Sequence, residues 1–270
     1  MDELVGVIPD TDRGFQFGDG LFETIAIKGG QLRLWPAHRA RLERGLGQLK
    51  LSVRGLDWRA LEGALAEQQS GGDGALKVIV TAGDGSQGYR RSDGPLRWVI
   101  SRRTVPPRPV EWWTRGVQLH LCETRLGKNP LLAGVKHLNR LEQVLARSEW
   151  DDSAIADGVM LNTDGEVICT TMANLFCLEE TVLRTPELSE CGVRGVMRAR
   201  VIEEARALGL EVREQTISLQ QLLGADEVFV TNALIGLWPV RQVGAQAIAS
   251  GPVANSLLDR VAIDALVPHL

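Results

Sequence analysis

The run Thr104-Val105-Pro106-Pro107-Arg108-Pro109 divides this chain. Three prolines in four positions fix φ, remove backbone donors and exclude both helix and sheet interior. Residues 1–104 therefore read as a small N-terminal α/β domain, 105–110 as a linker and 111–270 as a larger mixed domain, an α+β architecture. At 270 residues and 44% hydrophobic content, the chain is long enough for real cores. A net charge of -4 argues against nucleic acid as a partner. No apolar run reaches the ~20 residues of a membrane span. Met1-Asp2-Glu3-Leu4 lacks the basic start of a signal peptide. The four cysteines, at 122, 169, 177 and 191, have no metal-ligand spacing. Free thiols in a reducing cytoplasm, with no metal site, are the expectation.

In the first half, residues 21–27 alternate as a strand, Gly29-Gly30 is a hairpin turn and residues 31–34 return. The preceding Phe17-Gly18-Asp19-Gly20 is, on its own, a glycine-rich turn before that hairpin. A helix follows over 36–51, with Pro36 in its first turn and Leu42, Leu46 and Leu49 as its apolar stripe. His38 and Arg41 share one face of it. That pair is either a solvated basic face, with Arg39 and Arg44 around it, or an anion site, since a guanidinium offers parallel donors to a phosphate. Residues 57–69 form a second helix, 70–74 a loop, and 75–82 and 96–102 two strands. Between those strands, residues 83–89 fit Gly-x-Gly-x-x-Gly, but a loop and another strand follow rather than a helix, so a dinucleotide site is rejected.

In the second half, residues 126–147 carry the strongest chemical signal. Asn129-Pro130 is a turn, Lys136 stands among Leu131, Leu132, Val135 and Leu138, and Leu138, Leu141, Val144 and Leu145 recur at helical spacing. This puts Lys136 just before or inside the first turn of an amphipathic helix. Desolvation there would lower its pKa and prepare an amine to attack a carbonyl. The alternative is a lysine whose stem packs and whose head reaches water. The chain has only five lysines against 25 arginines, so Lys28, Lys50, Lys77 and Lys128 are its only competitors. Further on, 158–162 and 166–171 read as strands about a turn, and 172–178 continues or bends into another. Gly195 and Val196 stand at the start of a helix that runs to about Leu208, with Gly209 as its C′ residue; free N–H groups and the helix dipole there favour a phosphate. Residues 226–230 form a buried strand ending in Thr231-Asn232-Ala233, either a plain turn or a second phosphate contact.

Leu126-Gly127-Lys128-Asn129-Pro130 followed by Ala133-Gly134-Val135-Lys136-His137-Leu138-Asn139-Arg140-Leu141-Glu142-Gln143 resembles the active-site segment of the 4-amino-4-deoxychorismate lyases. These belong to the aminotransferase class IV group of pyridoxal 5'-phosphate (PLP) enzymes, with the branched-chain and D-amino acid aminotransferases. The resemblance spans residues 12–240. It implies the two-domain D-amino acid aminotransferase-like fold, with Lys136 as Schiff-base lysine and catalytic residue. It implies PLP phosphate contacts at Arg41, at Gly195 and Val196, and at Asn232 or the Ala233 amide. It places Phe22, Thr24, Tyr89 and Arg90 on the substrate side, the last two where Gln87 replaces the family's usual arginine. It also implies a cytoplasmic homodimer without nucleic-acid or membrane partners.

The implied reaction takes 4-amino-4-deoxychorismate to 4-aminobenzoate and pyruvate in folate biosynthesis; the alternative is transamination of D- or branched-chain amino acids. One departure stands out. Class IV enzymes carry a glutamate at the PLP pyridine nitrogen, five residues before the asparagine of Asn174-Leu175-Phe176, and here that position is Cys169. Glu166 is nearby, but its odd offset points it to the other face of a strand.

Overall fold

The structure, a computed structural model, describes residues 4–85 and 88–268. The acidic start at 1–3 and Gln87 lie outside the described residues. The chain forms two compact units: one extends to Pro106 and includes Val135–Asn139, and the other comprises Pro107–Gly134 and the chain from Arg140 onward. The stretch 135–139, expected in the second domain, thus belongs to the first unit.

The first unit is an antiparallel sheet carrying helices. Its strands are β1 (Leu4–Val5), β2 (Gly20–Lys28), β3 (Gln31–Leu32), β4 (Gly74–Thr81) and β5 (Arg97–Arg103), in the order β1-β5-β4-β2-β3. Gly29 and Gly30, at φ +58° and +69°, make the β2–β3 turn, a conformation that L side chains resist. The helices are α1 (Arg13–Phe17), α2 (Trp35–Gln48) and α3 (Trp58–Glu67). Leu21, Ile25 and Ile27 of β2 join Leu76, Val78 and Val80 of β4, Leu42 and Leu46 of α2, and Leu61 and Leu65 of α3 in one buried core. Truncating one of these leucines to alanine costs about 2–5 kcal/mol. Because alternate residues point to opposite faces, the core claims one face of β2 and leaves Phe22 and Thr24 half-buried on the other.

The segment around Lys136 is extended, not helical. The Phe22 amide donates to the Lys136 carbonyl at 3.0 Å and the Leu138 amide to the Gly20 carbonyl at 3.0 Å, with Leu21 bridged to His137. Backbone groups that a helix would need are used by β2 instead, and Gly134, at φ +78°, turns the chain just before them. The helix begins only at Leu141.

Among its described residues the second unit has nine strands: β6 (Val117–Leu121), β7 (Ile155–Leu161), β8 (Val167–Thr170), β9 (Asn174–Glu179), β10 (Val182–Thr185), β11 (Glu211–Glu214), β12 (Glu227–Asn232), β13 (Gly236–Val243) and β14 (Gln246–Ala247). Eight lie in the order β11-β10-β9-β12-β13-β6-β7-β8, and β14 pairs with β13. Its helices are α4 (Glu111–Thr114), α5 (Leu141–Arg147), α6 (Val196–Ala207), α7 (Leu219–Leu223) and α8 (Pro252–Val261). Gly209, at φ +82°, follows α6 as its spacing predicts. The buried Glu227 carboxylate accepts from the Val253 and Ala254 amides at 3.1 and 2.9 Å and so caps α8. The apolar stripe of α5 is largely uncovered: Leu141, Val144 and Leu145 are 69%, 58% and 54% exposed. No helix among the described residues is long and apolar enough to cross a membrane.

Candidate active site

Pairing with β2 puts Lys136 on the same sheet face as Phe22. The Lys136 Nζ lies 4.2 Å from the Phe22 ring centroid, within cation–π range. Thr24 lies two residues along the same face and is half-buried. Phe22, Thr24 and Lys136, named from the sequence, are thus brought together within one unit.

On the opposite face of β2, Glu23 is 1% exposed and meets two residues of α2. It accepts from Arg41 Nε at 2.8 Å and from Arg41 Nη2, and it lies 2.6 Å from His38 Nδ1. The first turns of α2 supply both partners because His38 and Arg41 are three residues apart. Burial alone would raise the Glu23 pKa; the Arg41 charge and hydrogen bonds from Arg41 and His38 outweigh it and hold the carboxyl down to about 2. Burial is also the main influence on His38 and lowers its pKa; the Glu23 contacts oppose this, while the charges of Arg41 and Lys136 add to it. A neutral His38 donates from Nδ1 to Glu23, and its buried Nε2 has no hydrogen-bond partner among the described residues. The solvated-face alternative for Arg41 is therefore overturned: Arg41 is 7% exposed, whereas Arg44 is exposed and Arg39 is half-buried and paired with Glu43 and Glu62.

Tyr89 and Arg90 are exposed at the end of the glycine-rich loop. Arg13, buried at the start of α1, anchors them through their backbone, donating to the carbonyls of Gly88, Tyr89 and Arg90 at 3.1, 3.0 and 3.3 Å. Arg91, the other candidate in that loop, is tied to Asp19 through Nε at 2.8 Å and Nη2 at 2.5 Å.

In the second unit, Gly195 caps α6. The Asn174 side chain donates from Nδ2 to the Val193 carbonyl at 2.8 Å and accepts from the Gly195 amide at 3.1 Å. A Cβ on Gly195 would stand 2.1 Å from Asn174 Oδ1, so Asn174 is one physical reason for glycine here. Val196 is the first residue of the helix, where N–H groups have no intrahelical acceptor. The Asn232 side chain accepts from the Leu234 and Ile235 amides at 2.9 and 3.0 Å and donates to the Met172 carbonyl at 3.3 Å. Its side chain thus holds the turn after β12, which narrows a phosphate role to the backbone of Asn232 and Ala233.

Cys169 faces Met160 across the β7–β8 ladder and is buried with Cys122, Trp150, Leu188 and Cys191. Burial pushes its thiol far above the ordinary range, so it stays protonated and neutral. Glu166 stands just outside β8, and its carboxylate accepts from Asn162 Nδ2 at 2.7 Å. Among the described residues, one group of potential metal ligands gathers, Asp164, Glu166 and Glu190. There the Lys128 ammonium already sits 2.6 Å from Asp164 and 2.5 Å from Glu190.

Sequence reasoning missed Glu23 and Asp157. A charged residue inside an otherwise apolar strand was the available signal for Glu23. Asp157, fully buried on β7, accepts from the Gly158 and Thr171 amides at 2.8 and 3.1 Å and from the Thr170 and Thr171 hydroxyls at 2.5 Å each. It thereby fixes the turn that leads into Asn174.

A family model for amino-transferase class IV matches residues 20–243. Over 241 residues, the chain is 44% identical to an aminodeoxychorismate lyase of Vibrio harveyi, covering 88% of each protein. Over 242 residues, it is 26% identical to a D-alanine aminotransferase of Bacillus licheniformis, covering 89% of this chain and 84% of that one. Among solved structures, the 4-amino-4-deoxychorismate lyase of Pseudomonas aeruginosa matches with a TM-score of 0.92 at 40% identity, covering 98% of this chain and 99% of that one. With the match spanning both units and including Lys136 and the residues around it, this chain belongs to the amino-transferase class IV family of PLP-dependent enzymes.

Proposed function

We propose that this protein is a PLP-dependent lyase that converts 4-amino-4-deoxychorismate to 4-aminobenzoate and pyruvate, a step of folate biosynthesis. The observation that carries the reading is the 44% identity to the Vibrio harveyi lyase across 88% of both proteins. The residues fit the cofactor. Lys136 offers an amine beside an aromatic ring, Arg41 is a guanidinium fixed by a buried carboxylate, and Gly195 opens a helix of 12 residues. We assign the covalent attachment of PLP to Lys136 and its phosphate to Arg41, Gly195, Val196 and the backbone of Asn232 and Ala233. Cys169 is assigned to the pyridine nitrogen. Phe22, Thr24, Tyr89 and Arg90 are assigned to the substrate.

Bound PLP supplies a sink for the electron pair released at the substrate's amine-bearing carbon. Lys136 takes the proton from that carbon. The electron pair then expels the neighbouring enolpyruvyl oxygen, and the ring becomes aromatic. Lys136 returns the proton to the methylene carbon of the departing enol, giving pyruvate. Phe22, packed against the lysine, keeps water from its amine.

A cytoplasmic homodimer belongs to the same reading. Leu141, Val144 and Leu145 of α5, and Leu131 at 78% exposure, are large apolar side chains left uncovered that a second copy would bury. The four buried, unbridged cysteines suit a reducing compartment.

The 26% identity to a D-alanine aminotransferase sustains transamination as the second reading. Incubation of the holoenzyme with 4-amino-4-deoxychorismate, without any keto acid, separates the two. The lyase releases equimolar 4-aminobenzoate and pyruvate over many turnovers, whereas a transaminase stops after one half-reaction.

A further inference from the structure

The buried carboxylate that grips Arg41 has a second partner. Glu23 Oε1 accepts from Arg41 Nε at 2.8 Å, and Oε2 accepts from Arg41 Nη2. The same Oε2 lies 2.6 Å from His38 Nδ1. Glu23 is held ionised and has no proton to give, so the hydrogen in that contact belongs to Nδ1. His38 and Arg41 stand three residues apart on α2 and reach one side chain of β2. All three are enclosed: His38 is 0%, Glu23 1% and Arg41 7% exposed.

The other ring nitrogen narrows what His38 can do. Nε2 is inaccessible to solvent and has no hydrogen-bond partner among the described residues. A proton on it would find no acceptor there. Burial, the largest influence, also disfavours an imidazolium, and the charges of Arg41 and Lys136 add to this against the pull of Glu23. A second cation on Glu23 would compete with Arg41 for its charge, whereas an uncharged N–H donor does not. Because Nε2 meets no open space, the ring is not placed to touch a ligand. Its bond to Glu23 has a different effect. The last torsion of a glutamate is soft, so a carboxylate held by one residue alone can turn. With Oε2 pinned by His38, the Nε–Nη2 edge of the guanidinium meets a fixed partner.

We propose that His38 is a positioning residue for the cofactor: its Nδ1–H fixes the Glu23 carboxylate, and Glu23 in turn fixes the Arg41 guanidinium in the orientation that receives the PLP phosphate. This rests on the assignment of that phosphate to Arg41. His38 itself touches neither cofactor nor substrate, forms no covalent bond and moves no proton.

The test measures PLP affinity of the full chain by equilibrium dialysis, corrected for the folded fraction, in His38→Phe, His38→Gln and His38→Asn. Phenylalanine keeps a ring without a donor. Glutamine sets its amide near the place of Nε2. Asparagine sets its amide near the place of Nδ1, where it can donate to Glu23. His38→Phe and His38→Gln should each bind PLP about tenfold more weakly, and His38→Asn should recover most of that loss. In an Arg41→Ala background, His38→Phe should weaken binding by less than about twofold further, because its effect runs through the missing arginine. Proton–nitrogen NMR of the wild-type holoenzyme, which has four histidines to resolve, should show His38 with its proton on Nδ1. A loss below about threefold in His38→Phe or His38→Gln overturns the proposal. So does recovery by glutamine in place of asparagine, or a full further loss without Arg41. An Nδ1 without a proton overturns it as well, and that is read on wild type whether or not the variants fold. Failure of the lyase reading looks different: the PLP affinities keep this order, but no 4-aminobenzoate forms. If Arg41→Ala retains PLP as wild type does, the phosphate assignment and this proposal fall together.

Discussion

Glu23 grips Arg41 through two atoms of its guanidinium, Nε at 2.8 Å and Nη2, at a site where the two residues are only 1% and 7% exposed. A buried carboxylate on β2 thus sets the orientation of an arginine on α2. The flexible side chain proposed to hold the PLP phosphate is thereby preorganised, which lowers the entropy lost on binding.

Removing the carboxylate should take from the buried Arg41 guanidinium the charge and the two hydrogen bonds that Glu23 supplies. Glu23→Ala is expected to destabilise the protein by about 3–5 kcal/mol, measured by urea unfolding at neutral pH. The pH dependence has a definite sign. The Glu23 carboxyl is held down to about 2 in the folded protein, below its ordinary value of 4.5. Its contribution is therefore fully present above pH 4.5 and is lost as pH falls from there towards 2. Wild type should lose stability steeply over that window, and Glu23→Ala should lose less. Equal slopes would mean that the ion pair is not the source.

Lys136→Ala should abolish both the visible absorbance of the PLP-loaded protein and its turnover. Borohydride reduction of the wild type, followed by peptide mapping, should tag Lys136. A tag on Lys77 or Lys50 would move the assignment.

Arg41→Ala should weaken PLP retention about ten- to hundredfold, equivalent to roughly 1.5–3 kcal/mol for a charge-assisted contact. Arg39→Ala and Arg44→Ala should leave it nearly unchanged, since Arg39 is engaged on the surface by Glu43 and Glu62. Equilibrium dialysis against PLP, corrected for the folded fraction, makes the comparison. Equal losses in all three variants would count against Arg41 as the phosphate ligand.

Cys169→Glu should raise transamination of D- or L-alanine relative to lyase turnover. Burial keeps the Cys169 thiol neutral, so at the pyridine nitrogen, the place proposed for it, it would not hold a proton there as a carboxylate does. The resulting weaker electron sink suits an elimination driven by aromatisation. It suits transamination less well, because there the carbanion must last longer. An unchanged ratio of the two activities would remove this explanation of the cysteine.

Several elements that carry the candidate site residues were legible because their signals are local. A strand ending in a glycine turn, a helix started by Gly195 and a lysine in an apolar run need only neighbours in sequence. The failures came where a local pattern had two tertiary solutions. Leu138, Leu141, Val144 and Leu145 have helical spacing, yet Leu138 lies in an extended segment hydrogen-bonded to Gly20, and the other three are exposed. Asn232 looked free for a ligand, but its side chain is used by the turn it begins.

The sequence by itself determined the family, through its resemblance, and the alternation of β2, and it singled out Lys136 as the candidate lysine, since these need only residue type and order along the chain. Only the tertiary structure decided what those residues face. Pairing of 136–138 with β2 put Lys136 against Phe22 and, across the β4 register, brought Lys77 to the same ring. Packing of α2 on β2 turned His38 and Arg41 inward onto Glu23. These partners lie 15 to 114 positions apart in the chain. Spacing along a strand or helix fixes the side a residue shares with its neighbours, whereas the distant groups that meet that side are fixed by register and packing.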